Sequence, residues 1–448
     1  MKEFKIFTEQ LMKDYSAAGL RAALFTKDGT IKYQRSFGYR DIDEQRQISA
    51  DSLFGVASVT KSFTALAIMQ LVEAGRVELD ALVSVYIPEF ENKRGVTVRH
   101  LLSHSGGFFP QHRTTVYEVA EKLGLEPQVE DLAFSNELAM AGSKEICRLL
   151  DAATEFCGAP GAFLSYSNDG YGLLTEIVRR VSGYETYAAY LEACILKPLG
   201  MTRSTIAMLA PQHDTDVATL YWNENGELKS TLDFYDNAFV MMGGGALKST
   251  LNDLMKYVCM YLHGGVTQSG EQLLSQAGIE QMSAPAIRYN AQSNYGFGLA
   301  IETIGGQKCV GHGGGLTGVS SQILWSAEVG LGVVVLCNTS AVPVSLVASR
   351  LLALGLSAEI VKPEYSFIED AGFIEQVAGV YASDEEDSCV QVVFDEEGLR
   401  VWLGATVYPA RLTDRYQVVI EKPYSDVVLE FNQEHRWVRL GGRLLPKQ

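Results

Sequence analysis

Ser58-Val59-Thr60-Lys61 sets a hydroxyl and an amine three residues apart. On a helix this spacing puts both side chains on one face, one turn apart. A serine hydroxyl is a poor nucleophile until a base takes its proton. A neighbouring amine does this when burial lowers its pKa from about 10.4. A helix N-terminus also favours the negative charge that develops there. No other S-x-x-K occurs in the chain. Such a pair needs a second proton-handling group, an amide to hold substrate, and two backbone N–H groups for an oxyanion. Tyr166-Ser167-Asn168 fits the first two roles. Two other Y-x-N triplets compete. Tyr221-Trp222-Asn223 runs into Glu224-Asn225-Gly226-Glu227, which reads as an exposed hairpin turn, and Tyr235-Asp236-Asn237 is the weaker rival. A third element is His312-Gly313-Gly314-Gly315, where glycines let substrate approach a strand edge closely. His263-Gly264-Gly265 reads as a helix C-cap and His104-Ser105-Gly106 as the end of a short helix, so His312 ranks first.

The surrounding elements must position these groups. Ser52 to Ala57 reads as an extended entry, and Thr60 to Gly75 as a largely buried helix with Gly75 as its stop. A helix over residues 3–16 precedes two strands, Leu20–Thr26 and Ile31–Tyr39, joined by Lys27-Asp28-Gly29-Thr30. Short helices and loops fill the middle, with Tyr166 and Asn168 on a turn before a helix from Tyr171 to Ser182. Thr250 or Asn252 caps a helix reaching Leu262. Strands return at Gly296–Ile304, Gln307–His312, Ser320–Ser326 and Leu331–Asn338, followed by a helix over Val342–Leu354. The expected fold is α+β: an antiparallel sheet built from both ends of residues 1–355, flanking helices, and an inserted helical subdomain. A linker is expected over 356–372, where the pattern breaks at Pro363. Residues 373–448 carry short, evenly spaced strands and read as a small antiparallel, lipocalin-like β-barrel. The acidic run Asp384-Glu385-Glu386-Asp387 reads as an exposed turn.

The 448 residues carry a net charge of −17, which argues against nucleic acid or an anionic membrane surface as partner. No stretch approaches the roughly 18 consecutive apolar residues of a membrane span. The N-terminal MKEFKIFTEQLMKDYS lacks a continuous apolar signal segment, and the seven scattered cysteines include no C-x-x-C pair. Reduced thiols and a cytoplasmic location are the expectation. His100, His104 and His112 have metal-like spacing, but no H-E-x-x-H or carboxylate motif completes it. No metal and no cofactor are expected.

S-x-x-K, Y-x-N and H-x-G in this order resemble the serine β-lactamase and penicillin-binding-protein superfamily. The chain looks like its class C β-lactamase-like branch, which includes D-aminopeptidases, D-Ala-D-Ala carboxypeptidases and esterases. His100-Leu101-Leu102-Ser103-His104-Ser105-Gly106-Gly107, Lys197-Pro198-Leu199-Gly200-Met201 and Tyr295-Gly296-Phe297-Gly298 strengthen the likeness. The resemblance implies Ser58 as acylated nucleophile, Lys61 as proton acceptor, and Tyr166 as partner base that carries the proton to the leaving group. It implies Asn168 as holder of the substrate amide, with His312, Gly314 and Gly315 bordering the substrate. The N–H groups of Ser58 and Gly315 would form the oxyanion hole. His312 departs from the lysine typical of β-lactamases and transpeptidases. A largely neutral imidazole there favours neutral esters or amides over penicillin-like substrates. The expected activity is serine hydrolysis through an acyl-enzyme on small amides, D-amino-acid-containing peptides or esters. The alternatives are a weak β-lactamase or D,D-carboxypeptidase, and a non-catalytic binding protein on the same scaffold. The partner is a small molecule or short peptide. The barrel either walls the cleft or mediates formation of a homodimer.

Overall fold

A computed structural model describes residues 2–236, 238–361, 363–385 and 389–448. Its centre is a nine-stranded antiparallel sheet. The strands run in the order Arg46–Gln47, Ile31–Asp41, Gly19–Thr26, Leu331–Cys337, Val319–Ser326, Gln307–Leu316, Ala300–Ile304, Asn294–Tyr295 and Ile287–Arg288. Chain ends meet in the middle, where Leu20 pairs with Cys337 and Thr26 with Leu331. The α+β expectation therefore holds.

Strand Leu331–Cys337 is apolar throughout because both its faces are covered. Val333 and Val335 join Phe4, Leu11, Val347 and Leu351 under helices Lys2–Asp14 and Val344–Leu356. Val334 and Leu336 point the other way, into the core of Phe63, Ile323 and Trp325. Side chains that alternate between two apolar layers erase the polar half of the usual strand pattern. Helix Thr60–Glu73 is likewise buried on nearly every side, including Lys61, Ser62 and Thr64. A helix wrapped by protein shows no polar face.

Expected boundaries move by a few residues, each for a local reason. Helix Asn168–Ser182 begins earlier because Ser167 caps it, its side chain accepting from the Gly170 N–H. Thr250, rather than Asn252, caps helix Leu251–Leu262. After Gly183 the chain forms a short α-helix, Tyr187–Leu191, and a π-helical turn, Glu192–Leu196.

Among its described residues the C-terminal part is all-β apart from one helix, Ala371–Val377. It forms a six-stranded and a four-stranded antiparallel sheet around Val390, Val392, Val401, Val418, Leu429, Val438 and Leu445. The two sheets touch through an antiparallel bridge between Tyr381 and Lys447, giving a nearly closed barrel. Strands Thr406–Pro409 and Arg411–Thr413 follow one another with only Ala410 between them. This region packs on the rest through a cluster of Phe109, Cys157, Trp437 and Leu444.

Candidate active site

The turn that presents Ser58 is fixed from all sides. Strand Phe54–Gly55 pairs with Lys248–Ser249, and the Val56 N–H donates to Leu247 O at 3.0 Å. Ser321 Oγ donates to Val56 O at 2.7 Å. Ala57 sits at φ +46°, in the left-handed region that costs a non-glycine residue energy. A 3-10 turn, Ala57–Val59, then leads into helix Thr60–Glu73. Thr60 Oγ1 ties the turn down by donating to Ala57 O at 2.7 Å and accepting from Leu247 N at 3.1 Å. Ser58 itself is half-buried at the head of the helix.

Lys61 Nζ has three oxygen neighbours: Ser58 Oγ at 3.1 Å, Asn168 Oδ1 at 2.8 Å and Gly244 O at 2.7 Å. Burial drives its pKa well below the usual value, and the nearby Arg443 charge adds to the effect. The Tyr166, Tyr171 and Phe239 rings lie 4.9 to 5.6 Å from Nζ and favour a cation. For a desolvated cation such a contact is worth about 2 kcal/mol or somewhat more. It is smaller than the cost of stripping water from an ammonium. A neutral amine matches the contacts: two N–H groups serve the two carbonyl oxygens, and the lone pair faces the Ser58 hydroxyl. Gly244 lies in the Gly243-Gly244-Gly245 run, whose backbone lines this floor. A side chain at Gly243 would collide with Thr175 Oγ1 and Thr64 Oγ1.

Tyr166 hydrogen-bonds Ser58 from the other side. Burial raises its pKa, while the Ser58 bond and the Arg443 charge oppose the rise. Asn168, first residue of its helix, uses both ends of its amide: Oδ1 accepts from Lys61, and Nδ2 donates to Glu385 Oε1 at 3.0 Å. The rival triplets lie elsewhere. The Tyr221 hydroxyl accepts from Ile42 N at 2.9 Å, and its triplet opens the hairpin Leu220–Glu224 to Glu227–Thr231. The Tyr235 hydroxyl bonds Glu130 O and Leu132 N, and Asn237 lies outside the described residues.

His312 is buried on strand Gln307–Leu316. Burial first, and Lys61 whenever it is protonated, lower its pKa to about 4. Its Nδ1 faces Gly313 O at 2.6 Å and must donate, so Nε2 accepts from the Tyr295 hydroxyl at 2.9 Å. The neutral imidazole is thus fully engaged. Gly314 is a close-approach position, since a Cβ there would sit 2.1 Å from Val56 O and 2.4 Å from Ser321 Oγ. Gly315 is exposed and faces open space, at the rim rather than in the packing.

Three residues near the nucleophile escape the sequence motifs. His104, read as the end of a helix, is buried with its ring 4.1 Å from that of Tyr166. Its Nδ1 accepts from the Ser167 N–H at 3.1 Å, which anchors the Tyr166 loop. His100 and His112 do not converge with it: His100 Nδ1 accepts from Thr97 N, and His112 bonds Glu118. The acidic run is not simply an exposed turn. Glu385 is 11% exposed and hydrogen-bonds Arg443 as well as Asn168, while Glu386 and Asp387 lie outside the described residues. Arg443 in turn lies 5.4 Å over the Tyr166 ring. No local signal reveals these two: Glu385 lies 217 positions from Asn168, and Arg443 lies 58 from Glu385 and 277 from Tyr166. Of the cysteines, Cys389 is exposed and Cys194 half-buried, and the other five are buried.

A family model described as Beta-lactamase matches residues 5–356. Penicillin-binding protein 4* of Bacillus subtilis (strain 168) is 27% identical over 318 residues, which cover 67% of this chain and 64% of that protein. A D-aminopeptidase of Cereibacter sphaeroides is 27% identical over 390 residues, 86% of this chain and 67% of that protein. The chain thus spans about two thirds of the length of these relatives, 64% and 67%. Among solved structures, the octameric penicillin-binding protein homologue from Pyrococcus abyssi matches with a TM-score of 0.69 at 27% identity, over 99% of both chains. A D-stereospecific amidohydrolase from Streptomyces shares the fold, with a TM-score of 0.56 at 21% identity over 74% of this chain and 94% of that one. The family match takes in every group around Ser58 except Glu385 and Arg443, and on its extent this chain belongs to the β-lactamase family.

Proposed function

We propose that the protein is a serine hydrolase that works through an acyl-enzyme on small amides, D-amino-acid-containing peptides or esters. One observation carries this reading: a fully buried amine, held by two carbonyl oxygens, with its remaining face 3.1 Å from the Ser58 hydroxyl. Ser58 Oγ attacks the carbonyl carbon while its proton passes to Lys61 Nζ. The oxyanion is taken by the N–H groups of Ser58 and Gly315. Tyr166, with its phenol kept protonated by burial, hands a proton to the leaving nitrogen or oxygen as that bond breaks, and Lys61 re-protonates it. Water then cleaves the acyl-Ser58 ester by the reverse proton route. Asn168, His312, Gly314 and Gly315 border the bound acyl group. The serine, lysine and tyrosine need no metal or cofactor for these steps.

The D-aminopeptidase relative supports an amide substrate with a D-residue on the acyl side. The neutral His312 argues against recognition of a penicillin carboxylate at that position. The octameric relative supports self-association, with a homodimer as the smallest form. A cytoplasmic location remains our reading. Among the described residues, no helix is long and apolar enough to cross a membrane. Residues 1–355 are read as the hydrolase domain, 356–372 as linker and 373–448 as the barrel domain.

The test is turnover of p-nitrophenyl esters, D- and L-amino-acid p-nitroanilides and a chromogenic cephalosporin by wild type and Ser58→Ala. Turnover by wild type alone supports the reading, and the preferred substrate selects among amidase, esterase and lactamase. Equal rates in both proteins would remove Ser58 as nucleophile.

A further inference from the structure

The Tyr166 hydroxyl bonds Ser58, yet Tyr166 sits on a loop, so its aim depends on what holds that loop. Three consecutive backbone N–H groups do. Tyr166 N donates at 2.8 Å to Gly442 O, in the turn of the hairpin Trp437–Leu440 to Arg443–Pro446 that roofs the site. The N–H groups on either side both end on His104. Ser165 N donates to its carbonyl oxygen at 2.8 Å, and Ser167 N to its Nδ1 at 3.1 Å. Ser167 is extended, with φ −129° and ψ 119°. Alternate N–H groups of an extended segment face one way. The ring nitrogen therefore stands where a partner strand would offer a carbonyl. The same imidazole lies against the Tyr166 ring, with centroids 4.1 Å apart and planes 33° apart. The Tyr171 and Tyr295 rings close it in at 4.8 and 5.1 Å. One residue thus holds the Tyr166 backbone on both sides and flanks its ring.

His104 occupies this place at a cost. Its φ is +54°, in the left-handed region that few non-glycine residues adopt. Because Nδ1 accepts, the imidazole proton is on Nε2. Nε2 is buried without a hydrogen-bond partner among the described residues. The tyrosine rings offer it at most a weak N–H···π contact. Backbone strain and an unpaired buried N–H persist only where the surroundings impose them, and such costs gather at functional sites. The end of helix Val98–Leu102 does not explain them. Ser103 N and His104 N already serve its last carbonyls, Arg99 O at 3.1 Å and Leu101 O at 3.2 Å, and neither bond involves an imidazole. An acceptor at Nδ1 also requires a neutral ring. Burial above all supplies that, holding the pKa well below the ordinary histidine value.

We propose that His104, as its Nε2–H tautomer, is a positioning residue that aims the Tyr166 hydroxyl at the leaving group, and so sets how well the enzyme turns over substrates whose leaving group must be protonated. The inference rests on the acyl-enzyme reading and adds the group that governs its proton delivery. No proton passes through His104. The proton goes from the Tyr166 hydroxyl to the leaving oxygen or nitrogen as its bond to the acyl carbon breaks, and Lys61 returns one to Tyr166. A phenol displaced by a fraction of an ångström still permits attack by Ser58 but slows the departure of a basic leaving group.

The test compares p-nitrophenyl acetate with p-methoxyphenyl acetate in wild type, Ser58→Ala, Tyr166→Phe, His104→Asn and His104→Gln. The two esters share an acyl group. p-Nitrophenolate leaves without a proton, and the more basic p-methoxyphenolate gains from one. Both histidine substitutions delete the ring. The asparagine oxygen falls near the place of Nδ1 and accepts from Ser167 N, and asparagine tolerates positive φ. The glutamine oxygen falls one bond further out. In His104→Gln the kcat/KM ratio of p-methoxyphenyl to p-nitrophenyl acetate should drop about tenfold from wild type, as it should in Tyr166→Phe, while His104→Asn stays within about threefold. An equal loss on both esters in His104→Gln would mark a merely structural role and overturn the proposal. Equal ratios in the asparagine and glutamine variants would overturn it too, as would an unchanged ratio in Tyr166→Phe. The acyl-enzyme reading survives these results while turnover needs Ser58. Turnover of neither ester by wild type, or turnover undiminished in Ser58→Ala, would overturn both. Should His104→Gln not melt cooperatively, the imidazole nitrogen NMR spectrum of wild type decides, with His104→Asn assigning the signal. A proton on Nδ1 rather than Nε2 would overturn the proposal.

Discussion

Two lysines near the Ser58 turn are buried, and they differ chiefly in what their amines touch. Lys61 is 0% exposed and Lys248 is 2% exposed. Lys248 lies on the strand that pairs with the entry to Ser58, in register with Gly55. Burial is the leading cause of a lowered pKa in both. Yet Lys248 Nζ meets one carbonyl, Ile206 O at 2.9 Å, and the Met208 sulfur at 3.2 Å. A thioether is a weak acceptor with no proton to give. Lys61 meets a hydroxyl. Burial alone therefore makes a neutral amine, and the neighbour decides whether that amine has work. A lowered lysine pKa marks a functional site only when a proton donor of the right kind lies within reach.

The sharpest break of this comparison is a pair of matched substitutions. Lys61→Met removes the base and should lower kcat/KM by about 10³-fold or more, as Ser58→Ala should through loss of the nucleophile. Tyr166→Phe should cost about 10²-fold, the lower end for a proton-transfer group. Lys248→Met should stay within about threefold on the same p-nitrophenyl ester, since only its amine is lost and no hydroxyl depends on it. Comparable losses at positions 61 and 248 would end the distinction.

Stability against pH tests the burial of Lys248 directly. The Lys248 pKa in the folded chain is about 7, below the 10.5 of the free side chain. Between these values the unfolded chain holds the extra proton, so stability rises with pH across the window. Below pH 7 both states are protonated, and the full cost of burying the charge is present. Urea melts of wild type and Lys248→Met, taken at pH 7 and pH 9, isolate this group because other titrations cancel in the difference. Wild type should gain about 2–3 kcal/mol relative to the variant over that interval. A flat difference would mean that Lys248 is charged in the folded protein and finds a counterion within its packing.

The groups on the floor of the site were legible because chemistry and local geometry coincide there. Ser58 and Lys61 share one helical turn, and Tyr166 and Asn168 share one capped helix start. The sheet was legible at its edges, where Asp28-Gly29 turns the first hairpin, and in the unbroken apolar run of Leu331–Cys337. The roof was not. Glu385 reads as one more charge in an acidic run, and Arg443 as an ordinary strand residue, until the hairpin docks on the Tyr166 loop. His104 was missed for a different reason. A helix end explained its sequence context, while its place under Tyr166 depends on a hydrogen bond to Ser167, 63 residues on. Contacts between stretches far apart in the chain leave no periodicity to read.

Two adjacent glycines sharpen the contrast between the lysines, and the second of them should have almost no effect. A methyl at Gly314 would press on Val56 O, one strand residue from the Gly55 that pairs with Lys248 and two before Ser58. The Ala57 turn, already at positive φ, is the part that can shift. Gly314→Ala should cost about 1–3 kcal/mol of stability through overpacking. It should also lower kcat/KM about tenfold, because sub-ångström misplacement of Ser58 from Lys61 weakens attack. The pH-dependent step assigned to Lys248 should survive, since its partners Ile206 and Met208 lie off the moving turn. Gly315→Ala meets no atom within 4 Å and should change stability by no more than about 0.5 kcal/mol. Urea melts and ester turnover on the two variants give both numbers. If Gly314→Ala were as silent as Gly315→Ala, the Ser58 turn would be free to adapt. The tight placement that separates Lys61 from Lys248 would then have to come from helix Thr60–Glu73 alone.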